Sequence, residues 1–259
     1  MSTGKLVKIK GQAIAAGKHP LICAPLVATN TEDLVAEASR LVAKGPDLIE
    51  WRVDFFNQIA NSASVIATAK QIKATIGDIP LLFTRRAEHE GGEPIEPAEE
   101  QVVAMYAEVL ASGCVDLIDY ELSHQPVLVK RLVELAKQYQ TPIILSYHNF
   151  QQTPSIDEIV ERLLAAEAAG ADVAKVAVMP NSKKDVLTLL TATEEASNRL
   201  SIPLITMSMG SFGALSRLIG GAFGSAVTFA VGETSSAPGQ MAIKDVAAVV
   251  EILHRKVED

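Results

Sequence analysis

The sequence predicts an α/β fold, a single (β/α)8 TIM barrel over residues 1–259, with a short N-terminal β-hairpin ahead of the main repeat. Three observations predict it. Eight short apolar runs recur at roughly 30-residue spacing, each followed by a helical pattern. The runs are apolar on both faces, as parallel strands covered on both sides must be. No low-complexity or linker-like stretch divides the 259 residues, a length that α/β barrels commonly occupy as one domain. A doubly wound open sheet is the competing architecture, but no glycine-rich phosphate fingerprint follows the first strand.

LVKIKGQAIA reads as a hairpin turning at Gly11. LICAPLVA is the first barrel strand, followed by a helix over Thr31–Lys44 with Asn30 or Thr31 as its cap and two acids in its first turn. DLIEWRVD leads to a helix over Ser62–Ile76, and IPLLFTRR to one over Pro97–Ser112. VDLIDYEL is followed by Gln125–Tyr139, TPIILSYH by Ser155–Ala169, and ADVAKVAV by Ser182–Leu200. IPLITMSM precedes a helical turn near Ala214–Gly220, and SAVTFAV precedes a closing helix over about Gln240–Lys256. Proline stands at several strand entrances, where a missing N–H does least harm.

Composition narrows the function classes. A net charge of −8 argues against nucleic-acid binding, which needs a basic face. Cys23 and Cys114 show neither a disulfide framework nor zinc spacing, and the histidines at 19, 89, 124, 148 and 254 show no metal-ligand pattern. The N-terminus has no apolar signal core, and no apolar run is long enough to span a bilayer. The expectation is a cytoplasmic enzyme or binding protein with a small-molecule partner and no metal, nucleic acid or membrane.

In such a barrel the active site lies at the C-terminal ends of the strands. Polar side chains there, pointing inward, are therefore the informative ones. Side chains two apart share a face of a strand. Glu50 shares one with Arg52, Thr84 with Arg86, and Val173 and Ala177 with Lys175, while TPIILSYH ends in His148. Any one of these charges, taken alone, is better read as half of a structural ion pair. Together they form a set that costs several kcal/mol per charge to desolvate unless matched, and such a set at one mouth reads as a ligand site.

Lys175 stands out because the rest of its strand is apolar. Apolar walls and nearby arginines disfavour its ammonium form, and a neutral amine attacks carbonyls to form a Schiff base. His148 is suited to moving protons near neutral pH. A carboxylate such as Glu50 holds an imidazole in one orientation, and arginines grip carboxylates bidentately. SAPGQ, at Ser236–Gln240, offers backbone N–H groups and short polar side chains to an anion or hydroxyls. HEGGEPIEP, with adjacent Gly91 and Gly92, is either a mobile lid or a turn.

The segments EWRVD, SYHNF, AKVAVMP, ITMSMG, LSRLIGGAFGSAVTF and SAPGQ resemble, in order and spacing, the type I 3-dehydroquinate dehydratases. The resemblance runs from the first barrel strand to the last helix. It implies a (β/α)8 barrel with the N-terminal hairpin closing its bottom, and a cofactor-free lyase, usually a homodimer, that dehydrates 3-dehydroquinate to 3-dehydroshikimate in the third step of the shikimate pathway. Lys175 matches the family's Schiff-base lysine, His148 its general acid/base and Glu50 the carboxylate that orients the histidine. Arg52, Arg86 and Arg217 match substrate-binding arginines, as do Ser236 and Gln240 in the last loop. Met209 and Phe229 match pocket-lining positions, and Glu90 a glutamate of the lid region. The chain departs from the family pattern in carrying Arg85 beside Arg86, where alternation selects Arg86, and Ser211 where some relatives carry a lysine. Two other readings remain: a Schiff-base aldolase on the same barrel, and a barrel that only binds an anionic metabolite or a protein partner.

Overall fold

The computed structural model describes residues 5–15 and 19–255. Strands β1 (Leu6–Ile9) and β2 (Gln12–Ala15) form an antiparallel hairpin through Lys10 and Gly11, both at positive φ. The barrel strands are β3 (Leu21–Leu26), β4 (Leu48–Arg52), β5 (Leu81–Thr84), β6 (Leu117–Glu121), β7 (Ile143–Asn149), β8 (Val173–Val178), β9 (Leu204–Ser208) and β10 (Val227–Phe229). They pair in parallel in chain order, with β10 returning beside β3. Where β9 meets β10, Leu204 pairs with Ser225 and the Ala226 N–H donates to the Leu204 carbonyl at 2.8 Å. The ring is thereby nearly closed, leaving little free strand edge.

The helices are α1 (Thr31–Val42), α2 (Ser62–Ile76), α3 (Glu99–Ser112), α4 (Pro126–Gln138), α5 (Ile156–Ala168), α6 (Lys183–Arg199), α7 (Gly210–Ile219) and α8 (Ile243–His254). Their starts follow local chemistry. The Asn30 side chain accepts the Asp33 N–H, and Ser182 and Asp185 form a reciprocal capping box. The entrance prolines lack an N–H, yet the carbonyls of Pro80, Pro142 and Pro203 accept the N–H groups of Ile49, Ile118 and Ala174 on adjacent strands.

Two helices differ from the sequence expectation. α7 starts at Gly210, directly after β9, rather than near Ala214. Its glycines look like loop residues, but a Cβ on Gly213 would lie 2.3 Å from the Ser208 carbonyl oxygen, so this close packing needs glycine. α8 starts at Ile243 because the preceding stretch is extended and pairs Ala242 with Val231. Lys256, the expected end of that helix, lies outside the described residues.

Alternation along the strands divides the core in two. Outward residues, including Ile49, Trp51, Phe83, Tyr120, Leu145 and Val176, pack against the helices. Inward residues at the strand beginnings, Leu48, Leu82, Leu117, Ile144, Val173 and Ile205, cluster with Ile9 and Ile14 of the hairpin. The hairpin thus seals the lower end with aliphatic side chains. Above this plug polar and charged inward side chains join Ala177, Met207, Met209 and Phe229, which concentrates buried charge at the upper mouth.

Candidate active site

One cleft at the C-terminal mouth is lined by Lys175, His148, Glu50, Glu90, Arg52, Arg86, Arg217, Met209, Phe229, Ser236 and Gln240. The structure therefore brings together every residue singled out from the sequence. The cleft encloses about 440 Å³ of space between its walls, its open mouth included.

Lys175 points inward from the middle of β8 and is 4% exposed. Its Nζ donates to Asp119 Oδ2 at 2.7 Å and lies 4.6 Å from the centre of the Phe229 ring. The sequence expectation of apolar walls and nearby arginines around this amine omits its nearest partner, the buried carboxylate of Asp119. Burial works to raise the Asp119 carboxyl, but Arg86 and Lys175 outweigh it and hold the group well below the usual carboxylate range.

The carboxylate on His148 is Glu90, and this corrects the assignment to Glu50. Glu90 Oε2 accepts from the His148 backbone N–H at 2.9 Å and meets Nδ1 at 2.8 Å. Glu50 instead accepts a hydrogen bond from Thr84 at 2.9 Å. The physical reason is topological. Glu50 is on β4, three strands round the barrel from His148 on β7, whereas the loop after β5 folds inward and carries Glu90 over β7. Face alternation shows that Glu50 points inward but not what it meets.

That loop is held closely. Its backbone turns at Gly91, with φ at 85°, and a Cβ there would lie 2.2 Å from the Phe150 ring. A Cβ on Gly92 would meet the Arg86 carbonyl oxygen at 1.9 Å. Asp54 Oδ2 accepts the Glu93 N–H at 3.1 Å, while Asp54 takes Arg52 bidentately at 2.7 and 2.8 Å. The double glycine is thus a packed turn that delivers Glu90.

The electrostatics of the His148–Glu90 pair are set by burial. Glu90 is pushed up to about 7 by desolvation and then by the nearby Glu121. His148 is held well below the ordinary imidazole value by desolvation, then by Arg86 and Lys175. With Glu90 ionised, Nδ1 donates to it and Nε2 keeps its lone pair, the tautomer a general base needs.

The three arginines differ in their partners. Arg52 is neutralised by Asp54. Arg86 faces the barrel axis as alternation predicts and pairs with Asp119 at 2.9 Å and Glu121 at 2.7 Å, while Arg85 points away toward Glu99. Arg217 pairs with no carboxylate among the described residues. Its Nη groups donate to the carbonyls of Phe229 and Pro238 at 3.3 and 3.1 Å, and its buried Nε has no partner. Desolvation pulls it down to about 10, still cationic at neutral pH. Among the described residues it is the buried cation of the cleft that lacks a counter-charge.

Ser236 and Gln240 are linked to each other, with Gln240 Nε2 donating to Ser236 Oγ at 3.2 Å. Arg52 and Arg217 donate to the carbonyls of Ser236 and Pro238, so two cleft arginines hold this loop. Asp54, Asp119, Glu121 and Ser146 were missing from the sequence reading. Asp119 and Glu121 of VDLIDYEL are spaced two apart like Glu50 and Arg52, so the same alternation would have placed them inside the barrel. Among the described residues, no group of three or more His, Cys, Asp or Glu side chains is gathered to hold a metal ion.

The family model for Type I 3-dehydroquinase matches residues 22–257. The chain belongs to the type I 3-dehydroquinase family. The 3-dehydroquinate dehydratase of Aromatoleum aromaticum is 50% identical over 258 residues, covering 100% of this chain and 99% of that protein. That of Geobacillus thermodenitrificans is 54% identical over 237 residues, 92% of each chain. The crystal structure of 3-dehydroquinate dehydratase from Geobacillus kaustophilus superposes with a TM-score of 0.94 at 45% identity, covering 96% of both chains. The type I enzyme of Clostridium difficile, solved with covalently modified comenic acid, superposes with a TM-score of 0.93 at 40% identity, covering 98% of this chain and 99% of that one. As a member of the type I 3-dehydroquinase family, this chain is an enzyme, and its barrel is the family barrel.

Proposed function

We propose that this enzyme dehydrates 3-dehydroquinate to 3-dehydroshikimate through a Schiff base on Lys175, with residues 1–259 acting as one catalytic domain. The observation that carries the reading is Lys175 itself. A buried primary amine faces a cleft that also holds a histidine–glutamate pair and an arginine without a counter-charge. The names of the relatives and the covalently modified ligand in one of them support it.

Arg217 takes the substrate carboxylate. Burial strengthens its demand for an anion, and a single unpaired cation suits a carboxylate better than the phosphate of an aldolase substrate. Arg52, Arg86, Glu50, Ser236 and Gln240 hold the ring and its hydroxyls, and Met209 and Phe229 supply the apolar walls. The Lys175 nitrogen attacks the ketone, and loss of water leaves a protonated imine. The imine draws electrons from the adjacent carbon and so acidifies its proton. His148 Nε2 removes that proton, with Glu90 stabilising the imidazolium through Nδ1. The resulting enamine expels the β-hydroxyl, which takes the proton back from His148 and leaves as water. Hydrolysis of the conjugated imine releases the product and Lys175. Positioning, covalent activation and proton transfer each have a named residue. The expected homodimer and cytoplasmic location belong to this same reading.

Borohydride added during turnover attaches a substrate-derived mass to Lys175, read by peptide mass spectrometry. Absence of label, or label elsewhere, overturns the Schiff base. Conjugated-enone absorbance from 3-dehydroquinate tests the reaction independently. Lys175→Ala loses nearly all turnover while remaining folded, and wild-type rates in that variant would reject the nucleophile.

A further inference from the structure

We propose that Asp119 is a further catalytic residue: its Oδ2 holds the counter-charge on the Lys175 nitrogen whenever that nitrogen is cationic, through to the protonated imine. This rests on the Schiff-base reading above. The geometry divides the two carboxylate oxygens between two tasks. Oδ1 is the anchor, accepting from Ser146 Oγ at 2.6 Å and Arg86 Nη2 at 2.9 Å. Oδ2 faces Nζ at 2.7 Å. All four side chains are buried, and none is more than 4% exposed. Arg86 is itself fixed by Glu121, which His124 holds from behind at 2.9 Å. The carboxylate is therefore held in place before substrate arrives.

Charge bookkeeping explains why a fixed anion suits this nitrogen. Overall, the lysine ammonium and the ketone give a protonated imine and one water. Of the three N–H hydrogens, two leave in the water and one stays. The nitrogen attacks after His148 takes a proton. The carbonyl π electrons move to oxygen, which is protonated, and the C–O bond breaks as the nitrogen lone pair forms the C=N bond. The positive charge sits on nitrogen at the start and at the end, with an N–H available for Oδ2 in both states. A preorganised anion that need not move stabilises that charge most in a buried, low-dielectric site. Arg86 and Lys175 are matched by Asp119 and Glu121. Loss of the nitrogen's charge would leave a buried anion unbalanced, so the network favours the charged imine, which is the form that acts as an electron sink. Arg86 and Ser146 also weaken Asp119 as a base, so it leaves the imine proton in place.

The test uses the full-length enzyme with 3-dehydroquinate and borohydride. Asp119→Asn keeps the shape and removes the charge. It is expected to lower kcat about 100-fold with KM within about threefold, and to slow borohydride labelling of Lys175 by a similar factor. A purely structural ion pair would lower the melting temperature and leave kcat of the folded protein near wild type, and that result overturns the proposal. If Asp119→Asn does not fold, Ser146→Ala keeps the anion and removes one anchor. It is expected to lower kcat about fivefold without changing KM, and an unchanged kcat there also overturns the proposal. Failure of the wild type to label Lys175 would reject the Schiff base itself, an outcome distinct from both.

Discussion

At the scale of single residues, burial decides the chemistry of the cleft. Glu90 ordinarily ionises near 4.5 and is raised to about 7. The unfolded chain releases this proton at the lower pH and the folded chain at the higher one, so folding takes up a proton between them. The stabilising effect of the protonated group is full below pH 4.5 and is lost as pH rises through 7, where burial of the anion costs about 3 kcal/mol. Glu90→Gln should therefore be more stable than wild type at pH 8 by about 1–3 kcal/mol and nearly equal at pH 4.5, measured by urea unfolding. The same ionisation supports His148 as a base, so wild-type kcat should fall as pH drops through about 7, and this limb belongs to the coupled pair. Glu90→Gln should lose the limb and at least tenfold in kcat. Arg217 makes the complementary case. Replacing this unpaired buried cation by Met should raise KM at least tenfold while raising stability by about 1–2 kcal/mol, read from kinetics and urea midpoints.

At the scale of elements, the mouth depends on turns that admit no side chain. Gly92→Ala would push a Cβ into the Arg86 backbone, which cannot swing aside as a side-chain tip can. The loop after β5 must shift, and Glu90 moves with it. We expect kcat to fall at least tenfold and stability to drop by about 1–3 kcal/mol, measured by steady-state kinetics and thermal unfolding. The hairpin has the opposite profile. Ile14 is fully buried in the lower plug. Ile14→Ala should cost about 2–5 kcal/mol of stability and leave kcat of the folded enzyme unchanged, because the cavity forms at the end away from the cleft.

At the scale of the whole molecule, the barrel separates stability from chemistry along its axis. Aliphatic side chains fill the lower interior and charged ones the upper, while an aromatic chain through Trp51, Phe83, Tyr106 and Tyr120 joins strands to helices outside. Each strand contributes to all three regions through its side-chain alternation. Relatives with 40–45% identity keep this architecture at TM-scores of 0.93–0.94.

The sequence by itself determined the barrel, the order of its elements and several cleft residues on the barrel strands or just past their ends. Repeat spacing, two-sided apolar runs and face alternation are local quantities, and Lys175, Arg52, Arg86 and Glu50 follow from them. Only the tertiary structure decided which charges meet. Glu90 reaches His148 because a glycine turn carries it inward, Asp119 reaches Lys175 from two strands away, and Arg217 is left without a counter-charge. The reason is physical: strand periodicity sets the direction of a side chain, whereas its partner depends on barrel stagger and loop path, which are settled by contacts between residues distant in the chain.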